Sequence, residues 1–350
     1  MVFTLHPFIK RRKLSMQNDT IELKSLAFIE ATEQAATVLK QLGFYQVEPT
    51  NNSSLALLTQ NDIHVLINDH KDSFSKYYHK YHGDSVCAIA CVVDNPQRAL
   101  DHALSLGATI PKGVGGHLPF PAIHFIGESL LYFVDENWQH QLGIEKRQST
   151  ALLNTIDHIA INVNYGEIDS TVKFFQKLFG LTPFSAFDIR GDYTRFHTKA
   201  LVNLQNGLRI VLNESDDEKS QIAEYLRKHK GPGIQHIAFE SADIYQSVSR
   251  LRENGIDFMS IPDSYYETIH ERIPSHKENL EKLKAQHILI DKDKNDETKI
   301  LLQIFTKTLL GPAFFEVIER KGNPGFGEGN ITALFKSVEQ DQIRQGTLQG

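Results

Sequence analysis

The chain has only two cysteines in 350 residues, too few for a disulfide framework. Cys87 and Cys91 share the strand-like run SVCAIACVV, and their even spacing puts both on one side of it. They read as buried free thiols of a reducing compartment, with a redox pair as the second reading. No apolar run approaches the roughly 18 residues that a membrane span requires. A secretory signal is also missing, because in MVFTLHPFIKRRKLS the basic cluster follows the apolar stretch, the reverse of the usual order. These absences lead us to expect a soluble, cytoplasmic protein. Excess positive charge is lacking too: 37 Lys and Arg against 43 Asp and Glu give a net charge of −6, which argues against nucleic acid as a partner. Residues 1–20 are expected to be a disordered N-terminus. Met16 opens a more ordinary start, MQNDTIELKSLAF, and residues 1–15 are assigned no function.

Apolar material is plentiful. Hydrophobic residues make up 41% of the chain, enough for two cores, and at roughly 150 residues per domain the length suggests two domains. One pattern, strand–helix–strand–strand–strand, recurs four times. TIDHIAINV (155–163) precedes a helical stripe of Val172, Phe174, Phe175, Leu178 and Phe179 that ends at Gly180. GIQHIAFES (233–241) precedes Ile244, Val248 and Leu251, with Gly255 as the stop. SLAFIEA (25–31) and SVCAIACVV (85–93) are weaker echoes in the N-terminal half. The pattern predicts an α+β protein of four βαβββ modules in two pseudo-equivalent, barrel-like domains. A polar, aperiodic stretch near 137–153 separates an N-terminal domain, 21–140, from a C-terminal one, 141–350. The charged segment 264–300 reads as an insertion in the fourth module with a helix over 276–286, and 276–294 as a solvated face.

Strand alternation puts Ile156, His158 and Ala160 on one face, with Asp157, Ile159 and Ile161 on the other; Ile234, His236 and Ala238 likewise share a face. Two histidines at one position of duplicated strands would meet across a pseudo-two-fold axis if the modules pair. Glu316 interrupts the apolar strand PAFFEVIER, where a carboxylate is costly unless paired or metal-bound. Two histidines and a carboxylate with open coordination positions form the facial set of non-haem Fe(II) oxygenases. Hydrogen-bonded core histidines are the competing reading, weakened by the repetition. In the N-terminal half Ser25 and Cys87 fall near the histidine slots, so we expect one metal site per chain, in the C-terminal half. GFGEGN (325–330) lacks both the spacing and the strand–turn–helix setting of a phosphate loop. His79 and His82, beside Tyr77, Tyr78 and Tyr81, read as solvated surface, with a zinc site as the minor alternative.

Taken together and in order, IDHIAINV, GPGIQHIAFES, ILLQIFTKTLLGPAFFEVIERKG and GFGEGNITALFKSVEQDQIRQG resemble the 4-hydroxyphenylpyruvate dioxygenase family, which includes hydroxymandelate synthase. HGDSVCAIACVVD and FIGESLLYFVD extend the resemblance to most of the chain from about residue 24. It implies the vicinal oxygen chelate (glyoxalase-like) fold, Fe(II) on His158, His236 and Glu316, and 4-hydroxyphenylpyruvate and O2 as reactants. The substrate brings its own 2-oxo acid, which chelates the iron; decarboxylation, ring hydroxylation and side-chain migration then give homogentisate and CO2, a step of tyrosine and phenylalanine catabolism. The resemblance also implies a substrate cavity lined by Gln221, Gln235, Gln303, Asn213, Phe305, Phe326 and Asn330. It further implies that the C-terminal helix, with Ile331, Leu334, Phe335 and Val338, is a lid and that the protein is a homodimer or homotetramer.

Two positions depart from the dioxygenase pattern. Thr198, near Arg195 and His197, stands where serine is usual, and Ile331 stands where the dioxygenases carry phenylalanine and the synthases isoleucine. Loss of an aromatic wall would let the ring rotate so that the benzylic carbon is hydroxylated, giving 4-hydroxymandelate. Asn213, where an apolar residue is expected in the synthases, and the dense match around Glu316 favour homogentisate. A vicinal oxygen chelate protein that binds a small molecule without redox chemistry is a further alternative. So is a zinc or nickel isomerase or lyase of the same fold, although no fourth protein ligand is evident.

Overall fold

The computed structural model describes residues 21–334 except 51, 53, 112–117, 146–150, 191–194 and 204. The expectations for residues 1–20 and for the lid positions Phe335 and Val338 lie outside the described residues.

The N-terminal half is a seven-stranded sheet in the order β2-β3-β4-β1-β5-β7-β6. Its strands are β1 (Leu23–Ala31), β2 (Tyr45–Val47), β3 (Leu55–Gln60), β4 (Ile63–Asn68), β5 (Val86–Val93), β6 (Ala122–His124) and β7 (Leu130–Val134). Helices α1 (Ala35–Gln41), α2 (Phe74–His82), α3 (Pro96–Ser105) and α4 (Trp138–Gln141) accompany them. In the C-terminal half the strands are β8 (Leu153–Asn162), β9 (Thr182–Arg190), β10 (Arg195–Val202), β11 (Arg209–Glu214), β12 (Gly233–Ser241), β13 (Leu289–Lys292), β14 (Ile300–Phe305) and β15 (Phe314–Lys321). Their order is β13-β14-β15-β12-β8-β11-β10-β9. Reversed, it repeats the N-terminal order with one extra outer strand. The helices are α5 (Ile168–Phe179), α6 (Gln221–His229), α7 (Ile244–Glu253), α8 (Asp263–Glu267), α9 (Ile269–Arg272) and α10 (Leu280–Gln286). None of the described helices is long and apolar enough to cross a membrane.

The α+β, four-module architecture expected from the repeat is present. Each module opens with a long strand, and the opening strands of a half pair antiparallel at the sheet centre, β1 with β5 and β8 with β12. α5 shows why the helices form: Ile168, Val172, Phe175, Leu178 and Phe179 are buried along one face, and Gly180, at φ 63°, ends the helix in a left-handed conformation that costs glycine little. The insertion is more ordered and more apolar than its charge suggests. Its third helix starts at Leu280, capped by Asn279, and not at 276; Leu283 and Ile288–Ile290 join the core, so 276–294 is not simply a solvated face. Alternating apolar residues are masked there by lysines that need only keep their ammonium groups in water.

Bulges overturn two expectations drawn from strict alternation. In β1–β5, Glu30 pairs with Ala88 and Ala31 with Val86, which leaves Cys87 as an extra residue. The extra residue reverses the side-to-side parity, so Cys87 and Cys91, both buried free thiols, pack in different core clusters on opposite faces. The same register makes Phe28 and Ala88, not Ser25 and Cys87, the N-terminal counterparts of the two histidines. α2 holds a further correction: Phe74, Tyr78 and His82 are buried along one face. His82 stacks between Tyr78 and His229, with ring centroids 4.1 and 4.6 Å away, and so ties the N-terminal half to α6. His79 alone of that pair is at the surface, beside Asp84.

Candidate metal centre

β15, β12 and β8 are neighbours, and Glu316, Ala238 and His158 lie on one line across them. His236 stands two residues from Ala238 on the same side of β12. The small Ala238 side chain leaves the space between the three larger groups open. There Nε2 of His158 and Nε2 of His236 are 3.4 Å apart, and both approach Oε2 of Glu316, at 3.3 and 3.5 Å. Among the described residues this is the one cluster able to hold a metal ion. Glu316 is 1% exposed, and a carboxyl group buried so deeply needs polar partners.

Each histidine is oriented by the residue before it. Asp157 is an extra residue in β8 opposite the Ala238–Phe239 step, and Gln235 is one in β12 opposite the Ala160–Ile161 step. These bulges turn consecutive side chains toward the same site, so Asp157 does not share a face with Ile159 and Ile161 as alternation predicts. Oδ1 of Asp157 lies 2.8 Å from Nδ1 of His158, and Oε1 of Gln235 lies 3.1 Å from Nδ1 of His236. With Nδ1 as donor in each ring, the two Nε2 lone pairs face the cluster, as metal binding requires. Burial pulls the His158 imidazole down, but the Glu316 and Asp157 carboxylates outweigh it and push it up to about 9. His236 is held well below its ordinary value by burial and then by the charge of His158. Burial raises the Asp157 carboxyl, and hydrogen bonds from Arg320 and His158 more than reverse this, leaving it well below the usual carboxylate range. Two outward-facing imidazole nitrogens and one carboxylate oxygen within contact of each other fit a single divalent ion of the imidazole- and carboxylate-binding class.

The remaining sequence-derived positions fall into separate groups. Gln303 donates to Oε1 of Glu316 at 2.8 Å, and its own carbonyl accepts from Asn330 at 2.8 Å. Thr198 donates to Asn213 Oδ1 at 2.8 Å, and Asn213 donates to Asn162 at 3.3 Å. Phe326 stands edge-on to His158 at 5.5 Å, and Phe305 edge-on to His236 at 6.3 Å. Ile331 packs instead with Phe187, Ile189, Phe196, Ile222 and Leu226. Gln221 is exposed in the first turn of α6, outside these hydrogen-bonded groups. Arg195 and His197 pair with Asp216 and Asp188 near the surface. The glycines of GFGEGN have a structural explanation: a Cβ on Gly327, at φ +79°, would lie 1.9 Å from Gln303 Oε1, and one on Gly329 would lie 2.2 Å from Asp291 Oδ1.

Asp157, Arg320, Asn162, Phe314 and Tyr265 were not singled out from the sequence. Two had a signal. The Asp157–His158 and Gln235–His236 pairs occupy the same offset of the repeat, and Arg320 lies an even number of residues from Glu316 on β15, hence on its face. Phe314 stacks on His236 at 4.8 Å from the neighbouring strand.

Similarity to known proteins extends over nearly the whole chain. Residues 17–149 match the family described as hydroxyphenylpyruvate dioxygenase, N-terminal, and residues 157–271 match the glyoxalase/bleomycin resistance protein/dioxygenase superfamily. The chain is 41% identical over 329 residues to hemolysin VllY of Vibrio vulnificus, covering 90% of this chain and 92% of that protein. It is 38% identical over 341 residues to the 4-hydroxyphenylpyruvate dioxygenase of Legionella pneumophila, covering 95% and 98%. A mutant of 4-hydroxymandelate synthase from Streptomyces coelicolor superposes with a TM-score of 0.76 at 25% identity, covering 91% of this chain and 99% of that one. With near-complete coverage of full-length relatives, and a buried two-histidine, one-carboxylate cluster at the sheet centre, the chain belongs to the 4-hydroxyphenylpyruvate dioxygenase family.

Proposed function

We propose that the chain is an Fe(II)-dependent dioxygenase that converts 4-hydroxyphenylpyruvate and O2 to homogentisate and CO2. The observation that carries this reading is the convergence of His158, His236 and Glu316 on one point, with both Nδ1 atoms tied away from it. Iron held there supplies what side chains cannot: chelation of the substrate's 2-oxo acid and activation of O2 for decarboxylation and hydroxylation. The protein's own residues hold the ligands and shape the surroundings. Asp157 and Gln235 fix the two imidazoles, and Gln303 fixes the carboxylate from the side opposite the histidines. Phe326, Phe305 and Phe314 give the site apolar walls that exclude water and favour an aromatic substrate. Thr198 and Asn213 form a neutral polar pair suited to a phenol or carboxylate.

Homogentisate is favoured over 4-hydroxymandelate because Ile331 packs in its own apolar cluster, while aromatic rings stand directly beside His158 and His236. Membership of this family further leads us to propose a role in tyrosine breakdown for a soluble, cytoplasmic homo-oligomer, with residues 21–140 as a metal-free domain and 141–350 as the catalytic one. The test is iron content and turnover of His158→Ala, His236→Ala and Glu316→Ala beside the parent. Each variant is expected to lose both while staying folded. Full iron retention by any of them removes that residue from the site.

A further inference from the structure

Glu316 uses its two oxygens differently: Oε2 faces the histidines, and Oε1 accepts from Nε2 of Gln303. That second contact begins a chain whose polarity is fixed throughout. A carboxylate only accepts, so Gln303 must turn Nε2 toward it and Oε1 away. Gln303 Oε1 then needs a donor, which makes Asn330 present Nδ2, at 2.8 Å. Asn330 Oδ1 is left facing the hydroxyl of Tyr265, which donates to it with its oxygen 2.6 Å away; the more distant carbonyl of Ile290, at 3.1 Å, is the other acceptor within reach of that hydroxyl. The phenol oxygen in turn accepts from the backbone N–H of Ile290, at 2.9 Å. Asn330 and Tyr265 are fully buried and Gln303 is 2% exposed, so water does not substitute for any link. Tyr265 lies on α8, in the insertion of the fourth module, and Arg272 covers its ring at 4.7 Å.

We infer that Tyr265 is a positioning residue for the carboxylate ligand, setting through Asn330 and Gln303 which atoms face Glu316. This rests on the reading of His158, His236 and Glu316 as metal ligands. Tyr265→Phe removes one oxygen and the donor. Asn330 Oδ1 is then unmet, and a flip that moves it out of the gap left by the hydroxyl sets it against another acceptor, Gln303 Oε1. Gln303 relieves that clash only by flipping in its turn, which sets its carbonyl against Oε1 of Glu316. The carboxylate loses its anchor, and the metal loses a fixed ligand.

Co(II) titration of the metal-free full chain tests this, reading affinity and the ligand-field absorption spectrum, neither of which depends on turnover. The parent should bind one Co(II). Tyr265→Phe should weaken binding on the order of tenfold, as orienting partners of metal ligands do, and shift the spectrum. Asn330→Ala breaks the chain one link nearer while keeping the Tyr265 side chain, and the double variant should be no weaker than Asn330→Ala alone. Tyr266→Phe is the control: its buried hydroxyl bonds to the backbone of Ile288 outside the chain, and its loss should leave affinity and spectrum as in the parent. A parent that binds no Co(II), or binds it equally after Glu316→Ala, overturns the ligand assignment and this inference with it. A parent that binds while Tyr265→Phe or Asn330→Ala matches it in both readouts overturns this inference alone.

Discussion

Arg320 grips both carboxylate oxygens of Asp157, with Nε at 2.6 Å from one and Nη2 at 2.8 Å from the other, while Asp157 reaches Nδ1 of His158. The same guanidinium donates to the carbonyls of Asn323 and Gly325, at 2.9 and 2.6 Å, and lies over the ring of Phe326. One side chain on β15 thus joins the orientation of His158 on β8 to the loop that carries Phe326.

Breaking this pair should cost both binding and stability. Asp157→Ala should lower metal affinity about 10- to 100-fold by freeing the His158 ring. It should also cost about 3–5 kcal/mol of stability, because Arg320 is left as an unpaired, nearly buried charge. Metal titration and denaturant unfolding check the two effects separately.

Metal loading should depend on pH with a definite sign. In the metal-free protein His158 is held up to about 9, so below that value a proton must leave before Nε2 can bind a metal. Apparent affinity should rise about tenfold per pH unit from neutrality to roughly 9 and then level off, in proportion to the deprotonated fraction. Isothermal titration in buffers of different ionisation enthalpy would count the proton released; no release at pH 7 would contradict the assignment.

The N-terminal half contains its own buried acid. Glu30 is fully buried, and burial pushes its carboxyl up to about 7 against an ordinary 4.5. Between those values the folded protein holds a proton that the unfolded chain has released, so stability should fall as pH rises through this window and flatten above it. Glu30→Gln should remove this contribution and stabilise the protein at pH 8 by on the order of 3 kcal/mol. Thermal unfolding at pH 5 and pH 8 would show it as a larger loss of stability in the parent than in the variant.

Gly327→Ala should disturb the site without touching a ligand. The new methyl group needs the space of Gln303 Oε1, and the positive φ costs about 1–3 kcal/mol for alanine. A lower melting temperature together with weakened metal binding is expected; a variant with the parent's metal affinity would detach Gln303 from the support of Glu316.

The repeat was legible because each copy opens with an apolar strand and closes its helix with glycine, and the two sheets follow from it. His158, His236 and Glu316 were legible because polar groups on otherwise apolar strands stand out. The bulges at Cys87, Asp157 and Gln235 were not, since an extra residue leaves no mark on composition yet reverses every parity argument beyond it. The contacts of Tyr265, His82 and Arg320 were illegible for another reason. Their partners are distant along the chain, Arg320 and Asp157 being 163 residues apart, and local pattern carries no such information.

The most direct test of the central claim is chromatographic separation of products after anaerobic Fe(II) reconstitution and addition of 4-hydroxyphenylpyruvate and O2. The two candidate products are isomers, so mass alone does not distinguish them. Homogentisate is the expected product, formed only with iron present. 4-Hydroxymandelate as the main product would contradict the assigned ring chemistry, and no turnover by protein with iron bound would contradict the assigned substrate.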